Sequence, residues 1–169
     1  MGKGFLTAFP DKFVPGWSGG TLDGVKRVGP ESFLSVLEGR YRSDAHFVPY
    51  YLVDDAGTLV PTPRLNKGDH IDPTTGLVEG LGFLRYDLAV IDVDGPDHCA
   101  PAEWVDEQLA CVIEESPWGS SVGWYQTRGG YRLLWLLPEP LPPAPYLAAL
   151  SEIRRGLAAV GVEADELTD

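Results

Sequence analysis

The chain has 169 residues, of which 44% are hydrophobic and 22% are charged. This length suits one domain, and this composition argues against intrinsic disorder. No apolar run reaches the roughly 20 residues of a membrane-spanning helix, and the N-terminus lacks the apolar segment of a secretory signal. Two cysteines, Cys99 and Cys111, are too few for a disulfide framework. We therefore expect a cytoplasmic protein that does not associate with membranes.

The charge is acidic and unevenly distributed. With 13 basic and 25 acidic side chains, the net charge is −12 at neutral pH. Residues 1–70 carry eight of each kind, whereas residues 71–169 carry five basic and seventeen acidic side chains. Duplex-binding surfaces need clustered Lys and Arg, so broad duplex binding is disfavoured. Carboxylates that bind divalent cations fit better, although a solvated acidic surface accounts for most of the seventeen.

The first half of the chain gives few strong structural signals. Residues 1–29 are rich in Gly and Pro and predict an irregular lead-in. Residues 30–39 begin with Pro and end with Gly, which predicts a short helix. Residues 45–60 predict a hairpin, with a strand at 45–53, a turn at 54–57 and a returning strand. Residues 61–80 predict a loop.

The second half alternates strands and helices. We predict a strand at 86–94, a helix at 101–115, strands at 121–127 and 131–137 joined by a hairpin turn, a Pro-rich link at 138–145 and a helix at 146–160. Both helices have apolar stripes at three- and four-residue steps, formed by Trp104, Val105, Leu109, Val112 and Ile113 and by Leu147, Leu150, Ile153, Leu157 and Val160. This order predicts an α+β fold, a single domain over residues 1–169 with mixed or antiparallel sheets and flanking helices.

The strongest functional signal is the pair of acids Asp92 and Asp94 at the end of an apolar strand. Side chains two residues apart on a strand point to the same face, so both carboxylates project together. Burying them requires compensation. Mg²⁺ provides it, because this ion binds one or two carboxylates together with substrate phosphates. The alternative is a strand end that reaches solvent, with both acids hydrated.

A Gly-Gly turn between two arginines is the second signal. Gly129 and Gly130 allow backbone N–H groups to approach an anionic ligand, and Arg128 and Arg132 flank them. Beside an acidic strand, such a turn meets the requirements of a metal–triphosphate site. Taken alone, it is better interpreted as an ordinary hairpin turn with solvent-facing arginines.

These motifs, together with Gly161–Asp165, resemble the primase–polymerase domains of the archaeo-eukaryotic primase superfamily, in particular those of phages, plasmids and other mobile elements. In that family, a strand ending in acid-x-acid binds the catalytic metals. A Gly-Gly hairpin contacts the phosphates of the incoming nucleotide, and a later apolar-Asp pair completes the metal site. The resemblance covers roughly residues 85–169 and implies an RRM-like catalytic core.

The resemblance implies template-directed nucleotidyl transfer by a DNA primase or DNA polymerase, in the replication of a mobile element. Asp92, Asp94 and Asp165 match the acidic positions and would hold two Mg²⁺ or Mn²⁺ ions. One ion would activate a 3′-hydroxyl, and the other would neutralise the departing pyrophosphate.

The family's phosphate-binding hairpin corresponds here to Arg128, Gly129, Gly130 and Arg132, which would bind the nucleoside triphosphate. Arg132 occupies the position at which the family has histidine. An arginine binds phosphate, but it does not transfer a proton near neutral pH.

A single-stranded DNA template is the second implied ligand. It would contact the loop that carries Arg64 and Lys67, and it would stack on Trp124 or Tyr131, although aromatic residues in strands lie more often in the core. A helicase domain or protein is the partner that the family implies. The chain ends at Asp169, where the family continues with an Arg-rich segment, so we expect a truncated chain or one that has lost activity.

Two other functions stay open. The run Val90–Gly95 also resembles the strand of haloacid-dehalogenase-like phosphatases, in which Asp92 would be the nucleophile and Asp94 the acid/base. Thr127 would then supply the phosphate-binding hydroxyl. The late position of the run, Pro96 after it and the hairpin strand after Thr127 count against this alternative. The non-enzymatic alternative is a nucleotide- or nucleic-acid-binding module on the primase–polymerase scaffold.

The remaining candidates carry little chemistry. His46, His70 and His98 lack the spacing of a metal site, so each is predicted to be a surface or hydrogen-bonded side chain. The sequence contains no Gly-x-x-x-x-Gly-Lys-Ser/Thr loop, which excludes an ATPase of that class. No serine or cysteine lies in a recognisable nucleophile elbow.

Overall fold

The structure is a computed structural model that describes residues 6–9, 26–28, 46–60, 62, 65, 69–127 and 129–165. These residues form strands β1 (Leu6–Phe9), β2 (Lys26–Val28), β3 (His46–Val48), β4 (Tyr51–Val53), β5 (Leu59–Val60), β6 (Leu77–Val78), β7 (Gly82–Asp94), β8 (Gly123–Gln126) and β9 (Gly130–Leu141). They also form two α-helices, α1 (Ala102–Ala110) and α2 (Pro143–Ala159), a π-helical turn at Cys111–Glu115 and short 3-10 helices at Pro96–His98 and Gly119–Ser121. Antiparallel strands and two helices confirm the predicted α+β class.

The chain divides into two compact units. The first comprises residues 1–88 and 136–146, and the second comprises residues 89–135 and 147–169. Strands β7 and β9 and helix α2 each run from one unit into the other. The single domain over residues 1–169 stays a prediction.

The first unit contains antiparallel strand pairs throughout its described part. A three-stranded sheet has the order β2-β1-β3. Strand β4 lies between β5 and the first part of β7, and β6 also pairs with β7. Strands β1 and β2 lie within residues 1–29, so the predicted irregular lead-in is wrong at these positions. Hydrogen bonding between strands distant in sequence orders them, and local composition does not report such pairing.

The predicted hairpin is confirmed, with one difference. Asp54 Oδ1 accepts hydrogen bonds from the backbone N–H groups of Ala56 and Thr58 at 3.0 and 2.8 Å, which closes the turn between β4 and β5. Gly57 adopts a φ of 78° in this turn, a conformation that glycine adopts without strain. The predicted first strand is interrupted at Pro49, which has no N–H group, so β3 and β4 belong to different sheets.

Three other predictions concern the first unit. The predicted loop 61–80 contains β6, so this prediction is wrong at Leu77–Val78. The predicted Pro-rich link at 138–145 is wrong except at Pro142, because β9 extends to Leu141 and α2 begins at Pro143. Strand β8 pairs with β9 only at Tyr131–Leu134, so among the described strands the later part of β9 has an edge without a partner, where proline is tolerated. The predicted helix at 30–39 lies outside the described residues.

The second unit contains the predicted metal- and nucleotide-binding residues. Its strands have the order β7-β9-β8, and β8 pairs antiparallel with β9, with Tyr125 opposite Arg132. Gly130 lies against Val93, and Arg132 lies beside Asp92. Strand β9 therefore runs antiparallel to the end of β7.

Apolar side chains form the core of this unit. Strand β7 is buried on both faces, at Ala89, Val90, Ile91 and Val93. The helices bury Val105, Leu109, Leu150, Ile153 and Leu157. The predicted burial of two stripe residues is wrong, because Ile113 is 47% exposed and Leu147 is 58% exposed. At 100° per residue, Leu147 lies at the margin of the row formed by the buried residues of α2. No helix among the described residues is both long and apolar enough to cross a membrane.

Candidate functional site

Asp92 and Asp94 lie on one face at the end of β7. The neighbouring side chains of Ile91 and Val93 are 0% and 1% exposed and anchor the strand in the core. The side chains of Asp92 and Asp94 each remain 28% exposed. Since successive side chains alternate between faces, the two carboxylates share the accessible face.

Two glycines hold the turn before β9 against this strand end. The N–H of Gly95 donates to the carbonyl oxygen of Gly129 at 2.8 Å. A Cβ on Gly130 would collide with the carbonyl oxygen of Val93, so this close approach of two backbones requires glycine. The Gly-Gly turn and the acidic strand end, predicted separately from the sequence, are therefore in direct contact.

Arg132 connects the three strands of the unit across the accessible face. Its Nε and Nη2 both donate to Oδ2 of Asp92, at 3.0 and 2.8 Å, and its Nη1 donates to the hydroxyl of Tyr125 at 3.2 Å. Burial alone would lower the pKa of Arg132, but the hydrogen bond to Asp92 and the interactions with Tyr125 raise it overall. Asp92 thus has a permanently charged internal counter-ion.

The two oxygens of Asp92 differ. Oδ2 accepts both hydrogen bonds from Arg132, whereas Oδ1 is shielded from solvent and accepts no hydrogen bond among the described residues. Leaving a buried carboxylate oxygen without a donor costs free energy. A cation bound at this oxygen would remove that cost.

Asp94 contacts a second set of polar groups. Its Oδ2 lies 2.7 Å from Nδ1 of His98. The backbone N–H of Asp165 donates to the carbonyl oxygen of Asp92 at 3.0 Å, which places the C-terminal segment alongside β7. Desolvation, and then the charges of Asp94 and Asp92, raise the pKa of Asp165. The three predicted acids therefore lie close enough to influence one another.

His98 contacts this site, although the sequence predicted for it no more than a surface or hydrogen-bonded role. The side chain is 82% exposed and hydrogen-bonded to Asp94, as predicted for a surface or hydrogen-bonded histidine. Asp97 and His98 adopt φ values of 56° and 53°, in the left-handed region that only a few per cent of non-glycine residues adopt. Strained backbone of this kind clusters at functional sites. The available signal was the break at Gly95–Pro96, which turns His98 back towards the end of β7.

The other predicted contact residues have different outcomes. Arg128, Arg64 and Lys67 lie outside the described residues. Tyr131 is fully buried, with its ring centroid 5.9 Å from that of Trp104, which leaves no surface for base stacking. Trp124 on β8 is 43% exposed and keeps such a surface.

The donor atoms of the residues present suit a hard divalent cation, but their arrangement in this structure does not. Carboxylate oxygens are the donors that Mg²⁺ and Mn²⁺ prefer, and Asp92 has a shielded oxygen without a donor. Among the described residues, no group of three or more His, Cys, Asp or Glu side chains is arranged to hold a metal ion. Because Arg132 occupies Oδ2 and Oδ1 is shielded, the Asp92 carboxylate would have to rotate or release Arg132 before it could act as a ligand.

The chain matches no protein-family model. Comparisons with curated proteins and with solved structures also gave no significant match. The resemblance to primase–polymerases stays a prediction from the sequence motifs.

Proposed function

We propose that the protein is a nucleotidyltransferase of the primase–polymerase type. With two bound Mg²⁺ or Mn²⁺ ions, it would transfer nucleotides from nucleoside triphosphates to a growing strand on a single-stranded DNA template, with release of pyrophosphate. It would act in the replication of a mobile element, together with a helicase. The observation that carries this proposal is the direct contact between the acidic end of β7 and the Gly-Gly turn before β9, through Gly95 and Gly129. A metal–triphosphate site needs these two parts side by side.

Three carboxylates would serve the metal ions. Asp92 and Asp94 share the accessible face of β7, and Asp165 is held beside them through its backbone hydrogen bond to Asp92. Bound ions of this kind neutralise phosphate charge and favour ionisation of an attacking hydroxyl.

The turn and Arg132 would bind the triphosphate. A Cβ placed on Gly129 would lie 3.5 Å from Oδ1 of Asp94, so the turn borders the carboxylates that would hold the ions. The Arg132 side chain is 35% exposed, so a phosphate can reach it from solvent. A guanidinium binds phosphate through two parallel hydrogen bonds and thereby fixes its orientation.

One observation favours a second candidate, a nucleotide-binding module without turnover. The ion pair of Arg132 with Asp92 fills an oxygen that a catalytic metal would use. Such a module would bind nucleotide and form no product. The phosphatase alternative gains no comparable support, because the Thr127 hydroxyl accepts the N–H of Gly130 at 3.0 Å and so closes the hairpin turn.

We also propose a cytoplasmic location. Cys99 and Cys111 are both free thiols, the state in which a reducing compartment keeps cysteines.

Nucleotide incorporation on a single-stranded template, with and without a primer, tests the proposed function. The assay would use Mn²⁺ or Mg²⁺ and compare the wild type with an Asp92→Asn/Asp94→Asn variant. The matched control is Asp106→Asn/Glu107→Gln, which removes the same two charges from an exposed part of α1.

We expect metal-dependent products from the wild type and the control, and a loss of about 100-fold or more in the Asp92/Asp94 variant, because removing a group that stabilises transition-state charge has effects of this size. Equal activity of the two variants would refute the assigned site. Nucleotide binding without any product would favour the non-catalytic module.

A further inference from the structure

We propose that Arg132 couples metal binding to nucleotide binding. In the absence of nucleotide its guanidinium is hydrogen-bonded to Asp92, and when nucleotide binds it leaves Asp92 and binds the triphosphate instead. This inference rests on the proposed function, because it concerns the regulation of the same site. It assigns Arg132 a positioning role towards Asp92 in addition to its contact with phosphate.

The first step is that Asp92 offers no oxygen to a cation in the described arrangement. Oδ2 accepts two N–H groups of Arg132, at 2.8 and 3.0 Å. Oδ1 is shielded from solvent. A divalent cation can therefore reach Asp92 only if its carboxylate rotates or if Arg132 leaves.

The second step is that the guanidinium opposes a cation by its charge. A metal bound to either oxygen of Asp92 would lie within a few ångströms of the positive charge of Arg132. At an effective dielectric constant of about 20, repulsion between charges this close changes an affinity by tenfold or more. Asp94 has no arginine of this kind among its described contacts, since its partner at 2.7 Å is His98.

The third step is that a triphosphate can attract Arg132 away from Asp92. The Arg132 side chain is 35% exposed and borders the Gly-Gly turn through its place in β9. Its contact with the Tyr125 hydroxyl, at 3.2 Å, does not involve Asp92 and could be kept during the transfer. A phosphate carries more negative charge than one carboxylate and accepts the same pair of N–H groups.

Coupling follows from these three steps. Nucleotide that holds Arg132 frees Asp92 for the metal, and metal that holds Asp92 frees Arg132 for the nucleotide. The two ligands must then increase each other's affinity by the same factor. An ion bound without nucleotide would be held weakly, so the metal site would be filled chiefly when substrate is present.

The test measures each ligand alone, which avoids binding of Mn²⁺ to free nucleotide. Mn²⁺ affinity is measured without nucleotide, from the electron paramagnetic resonance signal of the free ion. Affinity for a fluorescent deoxynucleoside triphosphate is measured in EDTA. The variants are Arg132→Gln and, as a control, Arg155→Gln, which removes the same charge from the exposed ion pair with Glu152.

We expect Arg132→Gln to bind Mn²⁺ about tenfold more tightly than the wild type and the nucleotide about tenfold more weakly, in line with the size of a single close charge interaction. The Arg155→Gln control should change neither value more than about twofold, because exposed charges contribute little. If Arg132 had only a structural role, Arg132→Gln would weaken the binding of both ligands. If its role were limited to binding phosphate, the variant would leave the Mn²⁺ affinity unchanged. Either result would overturn the inference.

Arg132→Lys keeps the inference falsifiable if Arg132→Gln does not fold. Lysine keeps the charge but cannot place two N–H donors of a planar fork on one carboxylate oxygen, so we expect Mn²⁺ affinity above that of the wild type. Mn²⁺ affinity at or below the wild-type value would overturn the inference. If nucleotide incorporation fails while Arg132→Gln tightens Mn²⁺ binding, the proposed function fails and the coupling stands.

Discussion

The two neighbouring glycines of the turn before β9 have different roles. A Cβ on Gly130 would collide with the backbone of Val93 and lie 2.8 Å from Cα of Asp94, whereas the nearest atom to a Cβ on Gly129 is the carbonyl oxygen of His98 at 3.4 Å. Contacts of 2.8 Å to backbone force the strands apart, while 3.4 Å is ordinary van der Waals contact.

We predict that Gly130→Ala lowers the free energy of unfolding by about 1–3 kcal/mol, the usual cost of overpacking. Gly129→Ala should change it by no more than about 0.5 kcal/mol. Urea unfolding of both variants measures the difference. Equal stability of Gly130→Ala and Gly129→Ala would contradict the described contact between β7 and β9.

Asp165 makes stability depend on pH in a direction that its surroundings determine. Desolvation and the charges of Asp94 and Asp92 raise its pKa above the ordinary value of 3.8 for an aspartate. Between 3.8 and the raised pKa, the folded state binds more protons than the unfolded state, so stability falls as pH rises through this interval.

Asp165→Asn should therefore gain stability over the wild type as pH is raised from 3 to 7, without added metal. The measurement is the free energy of unfolding of both proteins across this range, taken as a difference so that other titrating groups cancel. A difference that is constant, or that shrinks with rising pH, would contradict the proximity of Asp165 to Asp94 and Asp92.

At the level of elements, helix α2 depends on a glycine in its interior. Alanine usually stabilises an exposed helix by about 1 kcal/mol relative to glycine. At Gly156, however, a Cβ would collide with the ring of Trp118. We predict that Gly156→Ala destabilises the protein, in spite of its better helix propensity.

Thermal unfolding followed by circular dichroism checks this prediction, with Ser151→Ala at an exposed position of the same helix as the control. The control should stay within about 0.5 kcal/mol of the wild type. A higher melting temperature for Gly156→Ala would show that Trp118 does not pack on this face of α2.

Which elements could be predicted from sequence depends on what determines them. Strand β7 and helix α1 carry their own apolar patterns, so local sequence was enough to locate them. Strands β1, β2 and β6 have four residues or fewer and exist through their pairing partners. No local pattern specifies such strands, and composition alone suggested irregular chain instead.

The same distinction applies to the candidate site. The shared face of Asp92 and Asp94 follows from the two-residue period of a strand. The contact of Asp92 with Arg132 spans 40 residues and depends on the register of β7 and β9, which sequence did not provide. The place of His98 depends on left-handed backbone at Asp97 and His98, a conformation that these residue types adopt more often than most but still too rarely to be predicted.

At the level of the whole molecule, the negative charge is concentrated where the candidate site lies. The second unit contains thirteen acidic and four basic side chains. Such a surface attracts divalent cations and repels the phosphates of a template. Metal ions would reduce this repulsion at the site, which agrees with a function that requires them.

An acidic surface also offers a rival explanation, since dispersed carboxylates attract cations weakly at many places. Helix α1 is the best example, because it carries three exposed acids, Glu103, Asp106 and Glu107. A decisive measurement must therefore locate the metal rather than detect its binding.

The most direct test is the broadening of backbone amide signals in the NMR spectrum of the ¹⁵N-labelled protein by substoichiometric Mn²⁺ in the presence of a deoxynucleoside triphosphate. We predict that the amides of Gly95, Gly130 and Asp165 broaden first, because all three lie against or directly after the end of β7 that carries Asp92 and Asp94. Broadening centred on α1, or spread evenly over the acidic surface, would contradict a metal–nucleotide site at the end of β7.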